Sequence, residues 1–215
     1  MHLGRCIIGA VAAPVFLLAV ADGRSGPSLQ PVPRDEILSR AKSCAELRWV
    51  CNEVNRHAPC VTKTAYTSDW MAGQEVVGLP YDWGGMDPPD AFIEKLARRF
   101  AAGSHSQHGA TECTAGIDCS GLVSYCWGQS VKYSTQSIRN IAARPRYNWY
   151  TDMKPGDALN KPGSHIVLFT GYRPDGNPIV YEASGTEGRV IRNDWSTWSR
   201  FRSYYPLRYR TVIDD

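Results

Sequence analysis

The stretch Gly116–Gly128, "GIDCSGLVSYCWG", combines the start of a helix with a single well-placed thiol. Asp118 is a residue type that commonly caps a helix, and apolar residues then recur at helical spacing as far as Trp127. Cys119 falls in the first turn, where free backbone N–H groups favour a negative charge such as a thiolate. We expect Gly121 to leave room for a substrate beside the sulfur. Because Asp118 opposes the thiolate, an imidazolium must also lie nearby.

Composition sets the class of protein. The chain has 215 residues, enough for one globular domain with a sizeable core, and a net charge of +3 that predicts no nucleic-acid surface. Nineteen glycines and fourteen prolines favour a turn-rich fold over a helical bundle. Helical patterns come first and strand patterns later. This order predicts an α+β fold in which N-terminal helices pack on a central antiparallel sheet.

The N-terminus has the pattern of an export signal. Arg5 precedes the apolar run "CIIGAVAAPVFLLAV", which ends at a small-x-small cleavage site, "AVA" at 19–21. Residues 1–21 are therefore predicted to be a signal peptide; an uncleaved membrane anchor is the alternative. We expect a secreted, periplasmic or cell-wall-associated monomer with no stable membrane insertion after cleavage. Residues 22–33 are predicted to be a flexible lead, and 34–215 a single catalytic domain with a helical segment at 34–78.

Periodicity places the main elements. Apolar spacing predicts one amphipathic helix over 34–57, a second over 90–103 that ends at Gly103, and a short third over 134–145. "HIVLFTGY" at 165–172 and "IVYEAS" at 179–184 predict a β-hairpin, and strand-like runs follow at 189–193 and 204–213.

Two residues of this hairpin complete a candidate catalytic group with Cys119. His165 opens the first strand, where it can meet a helix N-terminus, and Glu182 on the second strand can orient the imidazole. A symmetric turn would pair Glu182 with Phe169, on the same face as His165 but some distance away. A bulge or a longer loop is needed to bring the two side chains together.

The remaining cysteines are candidates for disulfides, because export favours oxidation. Cys119 must stay reduced, and Cys126 is expected to be an apolar filler. Cys44 and Cys51 would be about 10 Å apart along one helix, too far to bond. Two arrangements remain open: Cys51–Cys60 together with Cys44–Cys113, or Cys60–Cys113 alone. The spacing of His105, His108 and Cys113 would tolerate zinc, but a polar loop is preferred, and no metal or cofactor is expected.

Four motifs occur in a fixed order: "PYDWGG" at 80–85, "DCSGLV" at 118–123, "KPGD" at 154–157 and "HIVLFTG" at 165–171. With them the chain resembles the NlpC-type cell-wall endopeptidases, a branch of the papain-like cysteine peptidases. The resemblance implies a papain-like fold, Cys119 as nucleophile, His165 as base, and a substrate site lined by Tyr81, Asp118 and Ser120. It also implies that Tyr81 helps to hold the oxyanion. In some family members, residues matching Tyr81 and Asp118 bind the free amine of a peptide stem.

The chain departs from the family pattern in two places. The third polar residue is usually His, sometimes Asn or Gln, whereas the matching position here is Glu182. A carboxylate can orient and charge an imidazole equally well, so we expect activity to survive. The segment Asp87–Gly116 is longer than is usual and is expected to shape specificity.

The expected function is that of a cysteine hydrolase that cleaves an amide bond in peptidoglycan stem peptides through a thioacyl intermediate. The resemblance favours the bond between a γ-D-glutamyl residue and a diamino acid. Two alternatives stay open: an acyltransferase or amidase of the same fold acting on another amide or a lipid, and a catalytically inactive wall-binding protein.

Overall fold

The computed structural model describes residues 29–57, 68–106, 109–110, 112–145 and 151–214. The three α-helices are α1 (Arg34–Glu46), α2 (Pro89–Ala97) and α3 (Cys119–Cys126). The strands are, in chain order, β1 (Val32–Pro33), β2 (Arg48–Val50), β3 (Glu75–Val77), β4 (Ala101–Ala102), β5 (Thr114–Ala115), β6 (Ala142–Ala143), β7 (Ala158–Lys161), β8 (His165–Tyr172), β9 (Pro178–Ser184), β10 (Arg189–Asn193), β11 (Tyr205–Tyr209) and β12 (Val212–Ile213).

Six strands form the main sheet, in the order β10-β9-β8-β7-β11-β6, and every neighbouring pair is antiparallel. The predicted α+β class and antiparallel sheet are confirmed. The other strands form three small pairs: β1 with β12, β2 with β3, and β4 with β5. No helix in the described ranges is long and apolar enough to cross a bilayer.

Apolar side chains alternate between two cores along β8. Ile166 and Leu168 join the larger core, which also contains the buried faces of α1 and α3. Val167 and Phe169 point into a smaller core, which the 3-10 turn Trp198–Phe201 closes. The packing of α3 against β8 and β9 holds the start of α3 close to the start of β8.

The predicted helix over 34–57 is wrong beyond Glu46. Residues 48–50 instead form β2, paired with β3, and the Trp49 indole N–H donates to the Gly78 carbonyl at 3.0 Å. Trp49 is buried, so this tertiary pairing overrides the helical pattern that continues in the sequence. Cys51 therefore does not lie on α1.

Three other boundaries need correction. The helix predicted over 90–103 ends at Ala97, because Arg99 adopts φ 67° and the chain turns into β4. The segment 134–145 forms a single 3-10 turn, Ile138–Asn140, and then β6. The last part of the predicted flexible lead is ordered, since β1 pairs with β12 and Val32 is buried. The predicted signal peptide lies outside the described residues.

The cysteines divide into free thiols and one oxidised residue. Cys113 is disulfide-bonded, whereas the described cysteines Cys44, Cys51, Cys119 and Cys126 are free and buried. The arrangement that joined Cys51 to Cys60 and Cys44 to Cys113 is therefore wrong. The partner of Cys113 lies outside the described residues, as does the proposed Cys60 end of a Cys60–Cys113 bridge. Because Cys113 is in a disulfide, it has no thiolate to offer the zinc site that its spacing from His105 and His108 would tolerate. His108 lies outside the described residues.

Non-reducing peptide mapping can check this division. We expect iodoacetamide, added after denaturation without reductant, to label Cys44, Cys51, Cys119 and Cys126 and to spare Cys113. Labelling after reduction serves as the control and should include Cys113. A bridge that contains Cys119 in active protein would contradict both the structure and any thiol mechanism.

Gly121 has a packing role that differs from the one expected. The backbone of the 82–85 turn passes directly over it, so a Cβ at Gly121 would lie 2.1 Å from the Gly85 carbonyl oxygen. The same carbonyl accepts from the Asp118 N–H at 3.2 Å. The space beside Gly121 is therefore filled by protein backbone, and the prediction that it admits substrate is wrong.

We expect Gly121→Ala to destabilise the fold by at least the ~1–3 kcal/mol typical of overpacked cores, because a backbone carbonyl cannot move aside. Gly185→Ala is the matched control, since its Cβ would meet nothing closer than 3.7 Å. Thermal unfolding of the two variants gives the comparison. Equal melting temperatures would show that the 82–85 turn is free to shift.

Candidate active site

The first turn of α3 carries the candidate nucleophile. Asp118 caps the helix as predicted, and its Oδ1 accepts from the Gly121 N–H at 2.7 Å. Cys119 follows at the first helical position and borders a cleft of about 280 Å³. The other walls of the cleft are the Trp83–Gly84 turn, the loop around residues 132–136 and the turn before β8. The thiol is thus largely buried yet open to a small substrate group.

His165, the first residue of β8, lies between the thiol and a carboxylate. Its Nε2–H donates to Glu182 Oε2 at 2.9 Å, and its imidazole also interacts with the Cys119 thiol. Burial disfavours the imidazolium, but the bonds to Cys119 and Glu182 and their negative charges outweigh it, so the pKa of His165 is raised to about 9. The imidazole is therefore charged at neutral pH.

Strand register explains how Glu182 reaches His165. A five-residue loop, 173–177, shifts the pairing by one residue from a symmetric turn, and a bulge between Phe169 and Gly171 shifts it by another. Continuing this register places Glu182 opposite Val167, diagonal to His165 on the same face of the sheet. The bulge is present, and the loop is longer than a two-residue turn, so both of the features predicted as ways to bring the two side chains together occur.

The Glu182 carboxylate is held by two further side chains. Arg200 Nη1 and Nη2 donate to its two oxygens at 2.8 and 2.6 Å, and Asn193 Nδ2 donates to Oε1 at 2.7 Å. Burial disfavours this carboxylate, but the hydrogen bonds from His165, Arg200 and Asn193 outweigh it and lower the pKa of Glu182 to about 2. The fork geometry of the arginine fixes both the charge and the orientation of the carboxylate.

Tyr81 lies near the thiol, but it is not among the described residues that line the cleft. Its N–H donates to the Gly188 carbonyl at 2.7 Å and its carbonyl accepts from the Ser104 N–H at 3.0 Å, so the backbone on both sides is fixed. Burial and the negative charges of Cys119 and Asp118 raise the pKa of Tyr81. The phenol therefore stays protonated and remains a hydrogen-bond donor.

Asp118 and Ser120 line the cleft, but their polar atoms are bound to other groups of the protein. The Ser120 hydroxyl donates to Asp118 Oδ1 at 3.0 Å, and Asp118 Oδ2 accepts from the Gly84 N–H at 2.9 Å and forms an ion pair with Lys132 Nζ at 2.9 Å. Together with the Gly121 cap, these bonds fill the carboxylate. The structure brings both predicted residues to the cleft, in structural contacts with α3 and the Trp83–Gly84 turn.

Sequence reasoning missed three residues, Arg200, Asn193 and Lys132. Asn193 was open to inference, because in the β9–β10 pair it lies two residues from Ile191, the residue opposite Glu182. Arg200 sits in an irregular turn, and no periodic pattern relates it to Glu182. The segment Asp87–Gly116 was expected to shape specificity, but none of its described residues lines this cleft.

Comparisons with known proteins add little. No protein-family model matches the chain, and no curated protein matches it. Among solved structures it is similar to the peptidoglycan hydrolase RipB from Mycobacterium tuberculosis, with 20% sequence identity and a TM-score of 0.45. The match covers 84% of this chain and 65% of that one. Any functional conclusion therefore depends on the residues of the cleft itself.

A titration of the imidazole tests the Glu182 contact. In Glu182→Gln, we expect the pKa of His165 to fall from about 9 towards its ordinary value near 6.5, because the carboxylate that stabilises the imidazolium is gone. NMR of the ring nitrogens measures this directly. Exposed Glu187 lies just after β9, so Glu187→Gln is the matched control and should leave the titration unchanged.

The same shift has a consequence for stability. Since the folded pKa of His165 lies above its unfolded value, the charged imidazole stabilises the fold below pH ~6.5, and that contribution is lost as the pH rises through about 9. Glu182→Gln should flatten this part of the stability profile. An unchanged His165 pKa in that variant would show that the carboxylate does not support the imidazolium.

Proposed function

We propose that the protein is an exported cysteine hydrolase that cleaves an amide bond in the peptide stems of peptidoglycan. The observation that carries this proposal is the line of Cys119, His165 and Glu182 at the edge of an open cleft. A thiol, an imidazole beside it and a carboxylate that orients the imidazole are what acyl transfer through cysteine requires.

Acylation would begin from the thiolate–imidazolium pair. Cys119 Sγ attacks the carbonyl carbon, and the carbonyl electrons move onto oxygen to give a tetrahedral oxyanion. The free N–H groups of the first turn of α3 would donate to that charge, and the resemblance assigns a second donor to the Tyr81 hydroxyl. As the oxyanion collapses, the C–N bond breaks and the imidazolium protonates the leaving amine, which leaves a thioester and a neutral His165.

Deacylation would use the neutral imidazole as a base. His165 removes a proton from water, the resulting hydroxide adds to the thioester, and collapse expels the Cys119 thiolate while the acid product leaves. The imidazolium is then restored. Glu182 keeps the ring in one orientation through both steps, and Arg200 and Asn193 keep Glu182 in place.

The substrate class is supported by the four ordered motifs that resemble the NlpC-type endopeptidases, and the cleft is consistent with it. A cleft of about 280 Å³ whose lining includes Lys132, Ser134, Thr135 and Gln136 suits a short peptide branch with polar groups better than a folded protein chain or a lipid tail. The bond proposed is the one between a γ-D-glutamyl residue and a diamino acid. Export, a single catalytic domain and a monomeric state remain predictions from the sequence.

Removing the thiol tests the mechanism. We expect Cys119→Ala to abolish the release of peptide from purified muropeptides, as measured by mass spectrometry of the products. The melting temperature should change little. Cys126→Ala removes the same atom from the other end of α3 and should keep most of the activity. Residual hydrolysis by Cys119→Ala above trace level would refute the thiol mechanism.

The same assay separates the alternatives. Product that forms only when an amine acceptor is added would indicate an acyltransferase. Binding to cell-wall material by both wild type and Cys119→Ala, with no cleavage by either, would indicate a wall-binding protein.

A further inference from the structure

The Asp118 carboxylate is already engaged by the protein. Oδ1 accepts from the Gly121 N–H and the Ser120 hydroxyl, and Oδ2 accepts from the Gly84 N–H and forms an ion pair with Lys132 Nζ at 2.9 Å. A carboxylate offers about four lone-pair sites, so three hydrogen bonds and one ion pair leave it no unoccupied side. An ammonium group on a substrate would have to displace one of the protein's own donors to bind here.

Lys132 supplies the positive charge at this position instead. Its side chain is 25% exposed and lines the cleft, with Asp118 as its ion-pair partner in the described part of the chain. An ammonium has three N–H donors, so one bond to Asp118 leaves two for a ligand. A lysine held at its tip by one carboxylate and open on the other side is suited to bind a second anion.

The rest of this wall favours an acceptor-rich ligand. Ser134, Thr135, Gln136 and Ser164 contribute neutral polar groups. Among the described residues that line the cleft, Asp118 is the sole carboxylate, and it is already paired. A carboxylate that entered beside Lys132 would therefore meet donors and no uncompensated negative charge except the thiolate itself.

We propose that Lys132 binds a carboxylate on the substrate residue that acylates Cys119, and so determines specificity for an anionic acyl group. This inference rests on the proposed function and deepens it. A γ-D-glutamyl residue is attacked at its side-chain carbonyl and carries a free α-carboxylate a few bonds away. The enzyme should accept that carboxylate, discriminate against the corresponding carboxamide, and need no free amine on the stem.

A thiol-labelling experiment tests the site independently of the natural substrate. Iodoacetate and iodoacetamide both alkylate a thiolate with loss of iodide and differ only in that the first carries a carboxylate. We expect Lys132→Met to lower the ratio of their rates at Cys119 by about tenfold, as for the loss of one charge-assisted hydrogen bond. Using the ratio cancels any change in the reactivity of the thiolate itself.

Controls isolate the charge at Lys132. Lys132→Arg keeps the charge and should retain most of the wild-type ratio, whereas Lys42→Met makes the same change at an exposed lysine on α1 and should retain all of it. Thermal melts establish that each variant is folded. An iodoacetate to iodoacetamide ratio that is the same in Lys132→Met and wild type would overturn the proposal.

Stem peptides then test the substrate assignment. We expect kcat/KM to be about tenfold higher for a γ-D-glutamyl stem with a free α-carboxylate than for its α-carboxamide, a preference that Lys132→Met abolishes. Blocking the N-terminal amine should change kcat/KM little. Equal cleavage of carboxylate and carboxamide by the wild type would overturn the role of Lys132 while the hydrolase stands.

The two failures remain distinguishable. A labelling ratio that falls in Lys132→Met, with no cleavage of any stem peptide by the wild type, would support an anion site beside Cys119 and refute the proposed function.

Discussion

The Asp118 carboxylate connects the parts of the molecule on which the cleft depends. Through Oδ1 it caps α3, and through Oδ2 it ties that helix to the Trp83–Gly84 turn and to Lys132. The turn carries Tyr81 at its start, so the position of the phenol relative to Cys119 follows from the same contacts. A single buried side chain thus holds the N-terminus of α3, the Trp83–Gly84 turn and Lys132 together at the cleft.

Charge alternates along the other axis of the site. Arg200 is followed by Glu182, then by the His165 imidazole, and finally by the Cys119 thiol. Arg200 favours the ionised form of Glu182, and Glu182 favours that of His165, so Glu182 remains a carboxylate and the imidazole remains protonated at neutral pH. The line crosses from the smaller core, near the turn that holds Arg200, to the N-terminus of α3.

Local patterns predicted much of this arrangement. The capping aspartate, the helix that starts at Cys119 and the hairpin of β8 and β9 all follow from short-range chemistry, and all are present. The long helix expected over 34–57 failed because Trp49 gains more from burial against the strand Glu75–Val77 than from one more helical turn. That gain depends on residues that are distant in the sequence, and a local pattern of apolar spacing carries no information about them.

The side chains that reach the site from irregular segments could not be predicted from the sequence, for a similar reason. Arg200 and Lys132 reach the site from a 3-10 turn and a loop, where no repeat fixes the direction of a side chain. Asn193 was within reach because strand pairing alternates faces in a regular way. The motif nearest to Cys119 also misled in one respect, since a glycine beside a nucleophile suggests access and here reflects contact between two backbones.

That contact bears on what the motifs can diagnose. Gly121 is required because the turn and the helix touch, and Gly85 because a Cβ there would lie 2.5 Å from the Gly116 carbonyl oxygen, whether or not the thiol reacts. A descendant that lost Cys119 or His165 would still need both glycines in order to fold. Sequence searches that weight these positions therefore recognise the shared architecture, and sorting working enzymes from inactive descendants requires inspection of the thiol and imidazole positions alone.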